Sequence, residues 1–514
     1  MSTLINNLKK AKYFTHGMIK LLPFMRTMSS NKLNVGSDEA LKKHLFGSEA
    51  NNPKRTKTWW EKPGIALMFQ IEARPEWQWQ RNYDQFNASI TGKNGGVDQE
   101  GPIPQMKNWV AFSKRVGSDY HTFEAKWHDG LCYWNSQHTQ WKTPVDYCWA
   151  FAKESRQAGI PYGFYYSSIF DHNPEFDDIQ PLRAVTPSVI GMRGSKQAMI
   201  AKSYALSYFG KKFKEDSLKH LTKAGYSYEQ PYPWYEGFAF NDFTPNPDRY
   251  LNYVIEQIEE LCKDYGAELI WIDWYDPDNS VLQNEIMGFM KKNYPHTALT
   301  FNNTVNANLP WVHYLSGEGH GFDKIWTMIH KFRQISRHWE LVSPATGFWD
   351  LMVPKHNPLE NTLAAAITMA AGGKMQFGIA SEMDGTIHTG VVGQMEQLGH
   401  WYKPRRTLFQ EATQIADQKV GEQGIITNEE YLRPLLNHYQ QAKLLHIFNM
   451  KAGQAYEKKP IRVTLEKSLI KKISSVVVAP EGIKIPFEEQ SGKIHFQIPV
   501  DLTDPIDTII QLSI

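Results

Sequence analysis

The run Glu268-Leu269-Ile270-Trp271-Ile272-Asp273-Trp274-Tyr275 reads as a short buried strand that ends on a carboxylate, flanked by Trp271 and Trp274. Packing explains such an acid poorly, because an unpaired buried charge is expensive. An acid that caps the following loop would be one use for it. At the C-terminal mouth of a parallel barrel, Asp273 would stand where that architecture places its chemistry. A second segment of this kind is Lys126-Trp127-His128-Asp129-Gly130-Leu131-Cys132-Tyr133-Trp134-Asn135-Ser136, which follows a predicted strand and opens onto a glycine turn. A neutral imidazole such as His128 both donates to and accepts from a hydroxyl. Metal binding fits less well, since no third or fourth ligand stands at a recognisable spacing.

Acids of this kind need a scaffold, and the chain has the length and composition for one. Its 514 residues are 41% hydrophobic and carry a formal net charge of +2. That charge gives no bulk field for nucleic acid or an anionic membrane. The basic excess is local: residues 1–58 hold eleven Lys/Arg against three Asp/Glu and read as a basic, mostly irregular extension. Met18 to Met25 is apolar but broken by Lys20 and Pro23, a poor secretory signal. The expectation is a cytoplasmic protein, with an unusual export signal as the alternative. No apolar run reaches the length of a membrane span. Cys132, Cys148 and Cys262 make neither a disulfide framework nor a metal cluster. No cofactor is implied. Many of the 17 Trp stand singly in polar surroundings, among them Trp77, Trp79, Trp127, Trp141, Trp234 and Trp349. Half-exposed indoles suit the apolar face of a sugar ring.

From 59 to 414 short apolar runs alternate with amphipathic segments. Gly64–Phe69, Asp119–Lys126 and Tyr162–Ser167 read as strands. Ile103–Val116, Asp146–Ala158 (closed by Gly159) and Arg249–Tyr265 read as helices. Repeated strand–helix units predict a parallel sheet with right-handed crossovers, here a TIM-like (β/α)8 barrel with an insertion over 175–237. From 415 to 514 the pattern becomes short alternating runs between Pro and Gly turns, such as Val476–Val478, Ile483–Ile485, Ile494–Ile498 and Thr508–Leu512. These predict a C-terminal antiparallel β-sandwich without clustered acids or histidines.

In this order the segments resemble glycoside hydrolase family 29, the α-L-fucosidases. The resemblance rests on Lys126-Trp127-His128-Asp129-Gly130, Trp134, Ser136, Gly163-Phe164-Tyr165-Tyr166-Ser167 and Leu269-Ile270-Trp271-Ile272-Asp273. Trp339-Glu340 through Gly347-Phe348-Trp349 and Met383-Asp384-Gly385-Thr386-Ile387 add to it. It implies a retaining hydrolase in which Asp273 attacks the anomeric carbon and a second acid protonates the departing oxygen. Glu318, on a Gly-rich loop about forty residues later, is the expected acid/base; Glu340 and Glu76 are the other candidates. His128, Trp127, Tyr166, Trp271, Trp349, Glu76 and Trp77 are the expected substrate-binding residues. Departures accompany the match. Leu67-Met68-Phe69-Gln70 stands where the family has Ile-His-Trp-Gly, Trp127 replaces the first His of a His-His pair, and Asn302-Asn303-Thr304 replaces an Asn-Asp-Arg stretch. They open three alternatives to a fucosidase: an α-L-galactosidase, an enzyme cutting sulfated fucan internally, or an inactive carbohydrate-binding homologue. The expected partner in each case is an oligosaccharide or polysaccharide, and the oligomeric state is left open.

Overall fold

The computed structural model describes residues 59–71, 102–127, 130–143, 145–168, 171, 173, 175, 247–273, 275, 280–302, 309, 311–319, 321–335, 337–347, 349, 353–381, 384–415, 424–455, 458–470 and 472–514. His128, Glu76 and Trp77, and the expected insertion over 175–237 beyond Glu175, lie outside them.

Eight parallel strands form the first sheet: β1 (Gly64–Ile71), β2 (Tyr120–Lys126), β3 (Tyr162–Ser167), β4 (Leu269–Asp273), β5 (Ala298–Phe301), β6 (Leu315–Glu318), β7 (Trp339–Pro344) and β8 (Lys374–Ser381). Their order is β5-β4-β3-β2-β1-β8-β7-β6. The seam between β5 and β6 is closed by other bonds. The His313 amide donates to Leu299 O at 2.9 Å, and the Leu299 amide donates to His313 Nδ1 at 3.0 Å. Thr300 Oγ1 donates to Tyr314 O at 2.8 Å. The sheet is thereby a barrel.

Helices α1 (Met106–Val116), α2 (Tyr147–Ala158), α3 (Pro247–Lys263), α4 (Ser280–Asn293), α5 (Phe322–Phe332), α6 (Glu360–Ala370) and α7 (Thr389–Tyr402) alternate with the strands except between β5 and β6, where the described residues hold no helix. Local signals set their ends. In α1, Trp109, Phe112 and Val116 recur at helical spacing and are buried, and Gly117 closes the helix at φ 82°. In α2 the Asp146 side chain accepts the Trp149 amide as an N-cap, and Gly159 closes the helix at φ 70°.

Every barrel strand is buried on both faces, as a parallel sheet covered by helices requires. Two cores follow from the two-residue side-chain period. Ile270, Ile272, Phe164, Tyr166, Leu67 and Phe69 face the helices. Ala66, Met68, Tyr120, Tyr165, Leu269, Trp271 and Val342 form a separate interior cluster.

The C-terminal part begins with α8 (Arg406–Glu411) and continues as β9 (Ala412–Gln414), β10 (Ile425–Thr427), β11 (Leu432–Tyr439), β12 (Ala442–Asn449), β13 (Ile461–Glu466), β14 (Ser475–Ala479), β15 (Ile483–Ile485), β16 (Phe487–Gln490), β17 (Lys493–Ile498) and β18 (Asp507–Ser513). These form two antiparallel sheets, β10-β13-β17-β16 and β15-β14-β18-β12-β11-β9. Val463, Ile494, Phe496, Leu445, Val476 and Ile510 fill the space between them. On the other face of the larger sheet, Leu435, Leu444, Phe448 and Ile509 join the core under the barrel helices. Asn437 Nδ2 donates to Ala370 O at 2.8 Å across this junction. The sandwich is docked along the α6 side of the barrel. Among the described residues no helix is long and apolar enough to cross a membrane.

Candidate active site

Asp273 is the last residue of β4, and the strand's alternation turns it inward with Leu269 and Trp271. Its carboxylate is held at both oxygens. Tyr165 Oη donates to Oδ2 at 2.6 Å, and Asn302 Nδ2 donates to Oδ1 at 3.0 Å. Tyr165 lies on the neighbouring strand in register with Trp271, and the two rings stack with centroids 5.3 Å apart and 20° between planes. Asp273 keeps 8% exposure, whereas Trp271 beneath it is nearly sealed. A carboxylate with both oxygens hydrogen-bonded has little rotational freedom, which is what an in-line attack demands.

Polar groups continue around the mouth. Gln70, at the end of β1, donates through Nε2 to Glu124 Oε2 at 3.1 Å, and both are buried. Glu124 is in register with Tyr165. On the other side of β1, the Trp349 ring lies against Gly378 of β8. A Cβ there would sit 2.1 Å from the Trp349 ring and 3.1 Å from Gln70 Oε1. Trp349 Nε1 in turn donates to Glu318 Oε1. Glu318, half-buried, ends β6. From β6 through β8, β1, β2, β3 and β4 to Asn302 beyond β5, the chain of neighbours is Glu318, Trp349, Gln70, Glu124, Tyr165, Asp273, Asn302.

Trp127 joins Tyr165 and Trp271 in the interior cluster, and Trp349 packs on it. Tyr166 does not. Its side chain points out toward α3, where its hydroxyl accepts from Lys126 Nζ at 2.8 Å and donates to Gln257 Oε1 at 2.7 Å. The pocket tyrosine of this strand is therefore Tyr165. Trp141 and Trp134 also belong to the outer core, Trp134 donating to Glu260 at 2.9 Å. Glu340 lies too deep for an acid at the mouth. It is fully buried on β7 inside the barrel, where it accepts from Tyr120 Oη and, at 2.6 Å, from Trp271 Nε1. Burial raises its pKa, against the opposing pull of these donors. Lys374, on the same interior level in register with Glu340, is pushed down to about 7 by burial. Glu340 thereby holds the Trp271 indole from below.

Tyr165, Asn302, Gln70 and Glu124 went unrecognised in the sequence. For Tyr165 the signal was present but ambiguous, since one of two adjacent tyrosines must face inward and strand composition does not say which. Asn302 stands one residue past β5 and could be found only through the register that sets β5 beside β4. Among the described residues no cluster of His, Cys, Asp and Glu could hold a metal ion.

In a (β/α)8 barrel the C-terminal ends of the strands are where active sites stand, and this acid and the indoles around it lie there. The alpha-L-fucosidase family model matches residues 103–405, more than half of the chain. The chain belongs to that family and is a glycoside hydrolase. Solved structures agree on the fold. The Thermotoga maritima alpha-fucosidase in complex with fucose superposes with a TM-score of 0.57 at 14% identity, covering 92% of this chain and 98% of that one. Alpha-L-fucosidase isoenzyme 1 from Paenibacillus thiaminolyticus gives 0.58 at 18% identity, covering 89% and 98%. A GH29 alpha-L-fucosidase from Bacteroides thetaiotaomicron gives 0.56 at 16% identity, covering 89% and 94%. No curated protein sequence matched.

Proposed function

We propose that the protein is a retaining α-L-glycosidase for α-L-fucosyl or closely related L-sugar linkages, with Asp273 as nucleophile and Glu318 as acid/base. The observation that carries this reading is the Asp273 carboxylate, held by Tyr165 and Asn302 at the mouth of the barrel. Asp273 attacks the anomeric carbon, and Glu318 delivers a proton to the glycosidic oxygen as that bond breaks. A glycosyl ester on Asp273 results. Glu318, now a carboxylate, takes a proton from water as the water's oxygen attacks the same carbon, and Asp273 is released. The indole of Trp349 donates to Glu318 and orients it. Trp127 and Trp349 supply apolar faces for the ring, backed by the buried Tyr165–Trp271 stack, and His128 supplies a two-way hydrogen-bonding group for its hydroxyls.

The β1–β2 wall favours a second reading, an α-L-galactoside or a fucan as the substrate. The inward position of β1 that the family resemblance would fill with histidine carries apolar Met68, and the polar contacts there come from Gln70 and Glu124 instead. Assay of aryl α-L-fucoside, aryl α-L-galactoside and fucan side by side decides between them. Turnover of the fucoside alone supports the first reading. Turnover of either of the others alone supports the second, and turnover of none refutes both.

A further inference from the structure

We infer that the buried Lys126–Asp171 ion pair is a positioning device for Trp127 and Gly130, the described residues on either side of His128. This rests on the glycosidase reading only for its effect on substrate. Lys126 ends β2 after a register irregularity between Glu124 and Lys126. The irregularity breaks strict alternation, so Lys126 is turned out of the barrel while Glu124 before it and Trp127 after it point inward. A bulge that re-aims a side chain in this way must be held, because it disrupts the ladder. Lys126 Nζ sits 2.5 Å from Asp171 Oδ2 with both side chains fully buried, and over the Tyr166 and Tyr253 rings at 4.1 and 4.8 Å.

Asp171 also reaches Gly130. Gly130 has φ +74°, and a Cβ there would stand 2.2 Å from Asp171 Oδ1 and 2.5 Å from the Asn173 amide nitrogen. That amide donates to Asp171 Oδ1 at 3.0 Å, and Tyr250 Oη donates to Oδ2 at the same distance. One carboxylate therefore fixes residue 126 by charge and residue 130 by close approach, and the Gly130 amide donates to Trp127 O at 3.0 Å between them. A buried ion pair is a poor source of stability compared with apolar residues of similar volume. Its use here is geometry.

The test separates geometry from stability. Lys126→Met, Asp171→Asn and the double variant are compared by thermal unfolding, by KM and kcat on an aryl α-L-glycoside that the wild type turns over, and by hydrogen exchange of peptides spanning 127–132. Each single change leaves a buried group without its partner and lowers the unfolding temperature. The double variant recovers most of that temperature. Its KM nonetheless stays raised by about tenfold, the loss of roughly one contact worth 1.4 kcal/mol, with kcat far less affected and exchange over 127–132 faster. Gly130→Ala keeps both charged residues but sets a methyl group against Asp171 Oδ1 and the Asn173 backbone at a left-handed φ, and shows the same KM and exchange signature. If the double variant regains wild-type KM and wild-type protection, the pair is structural only and the inference fails. If the wild type cleaves no glycoside, the functional reading falls, and the exchange measurement on the double variant and Gly130→Ala alone decides the positioning role.

Discussion

Tyr165 and Tyr166 are adjacent in sequence, and the structure assigns them opposite consequences. Tyr165→Phe removes a donor to Asp273 while keeping the ring that stacks on Trp271 at 5.3 Å. A hydrogen bond to a charged group contributes about 1.5–3 kcal/mol. At 1.36 kcal/mol per factor of ten, losing it costs roughly 10- to 150-fold in kcat/KM. The remaining carboxylate is more basic, which favours attack, but with the Tyr165 donor gone it is held less firmly about its last torsion, Asn302 still bonding Oδ1. With a well-oriented nucleophile worth several powers of ten, orientation wins. The unfolding midpoint should change little. Tyr166→Phe instead removes an acceptor from Lys126 and a donor to Gln257 in the outer layer. That change costs about 1–3 kcal/mol of stability for buried groups left short of a partner. It leaves turnover close to wild type, since the Lys126–Asp171 pair survives. Steady-state kinetics on an aryl glycoside and chemical unfolding of both variants make the comparison. Near-wild-type turnover in a folded Tyr165→Phe protein, or a larger activity loss in Tyr166→Phe, would refute the assignment of inward and outward faces.

Glu318→Gln should slow a substrate with a poor leaving group far more than an aryl glycoside with a good one, because protonation of the departing oxygen matters less when the group leaves readily; equal losses on both would remove Glu318 from the role. Gly378→Ala puts a methyl group where the Trp349 ring lies, so it should displace Trp349 from Glu318 and lower turnover on the same poor-leaving-group substrate, with unchanged kinetics counting against that contact. His121 is fully buried, shares hydrogen bonds with Ser113 and Ser155, and has its pKa lowered by burial to about 3. The unfolded state therefore binds a proton that the folded state refuses between about pH 6.5 and 3, so this residue's contribution is complete above 6.5 and is lost as pH falls through that window. Unfolding midpoints measured across it should fall less steeply in His121→Gln than in the wild type.

The architecture was legible because its signals are local and repeated. Gly159 closes α2 and Asp146 caps it, and the Asp273 strand is a short apolar run closed by an acid. In the sandwich, Val476–Val478 and Ile494–Ile498 stood out by alternation. The strands β11 and β12 did not, because each is buried over much of its length on both faces and so lacks the polar half of the pattern. The site was legible only in part, for a reason of phase. Trp271 and Asp273 share a parity within one strand, so finding one finds the other. The parity of Tyr165 over Tyr166 is fixed by pairing across to Trp271, and that of Trp127 by an irregularity within β2; neither is a property of the local sequence. Asp171 was invisible for the same reason, since its partners lie forty-five residues back and seventy-nine ahead in the chain.

The central claim is that Asp273 forms a covalent bond to the sugar. Its most direct test is mass spectrometry of the intact and digested protein after incubation with a 2-deoxy-2-fluoro glycosyl fluoride of the sugar that the assays select. The fluorine at C2 disfavours the oxocarbenium-like transition states, and fluoride leaves readily enough that the first step still outruns the second. The account predicts one added glycosyl group per chain, on the peptide containing Asp273, and none in Asp273→Ala. A label on another carboxylate, or continued turnover of the aryl glycoside by a folded Asp273→Ala protein, would contradict it.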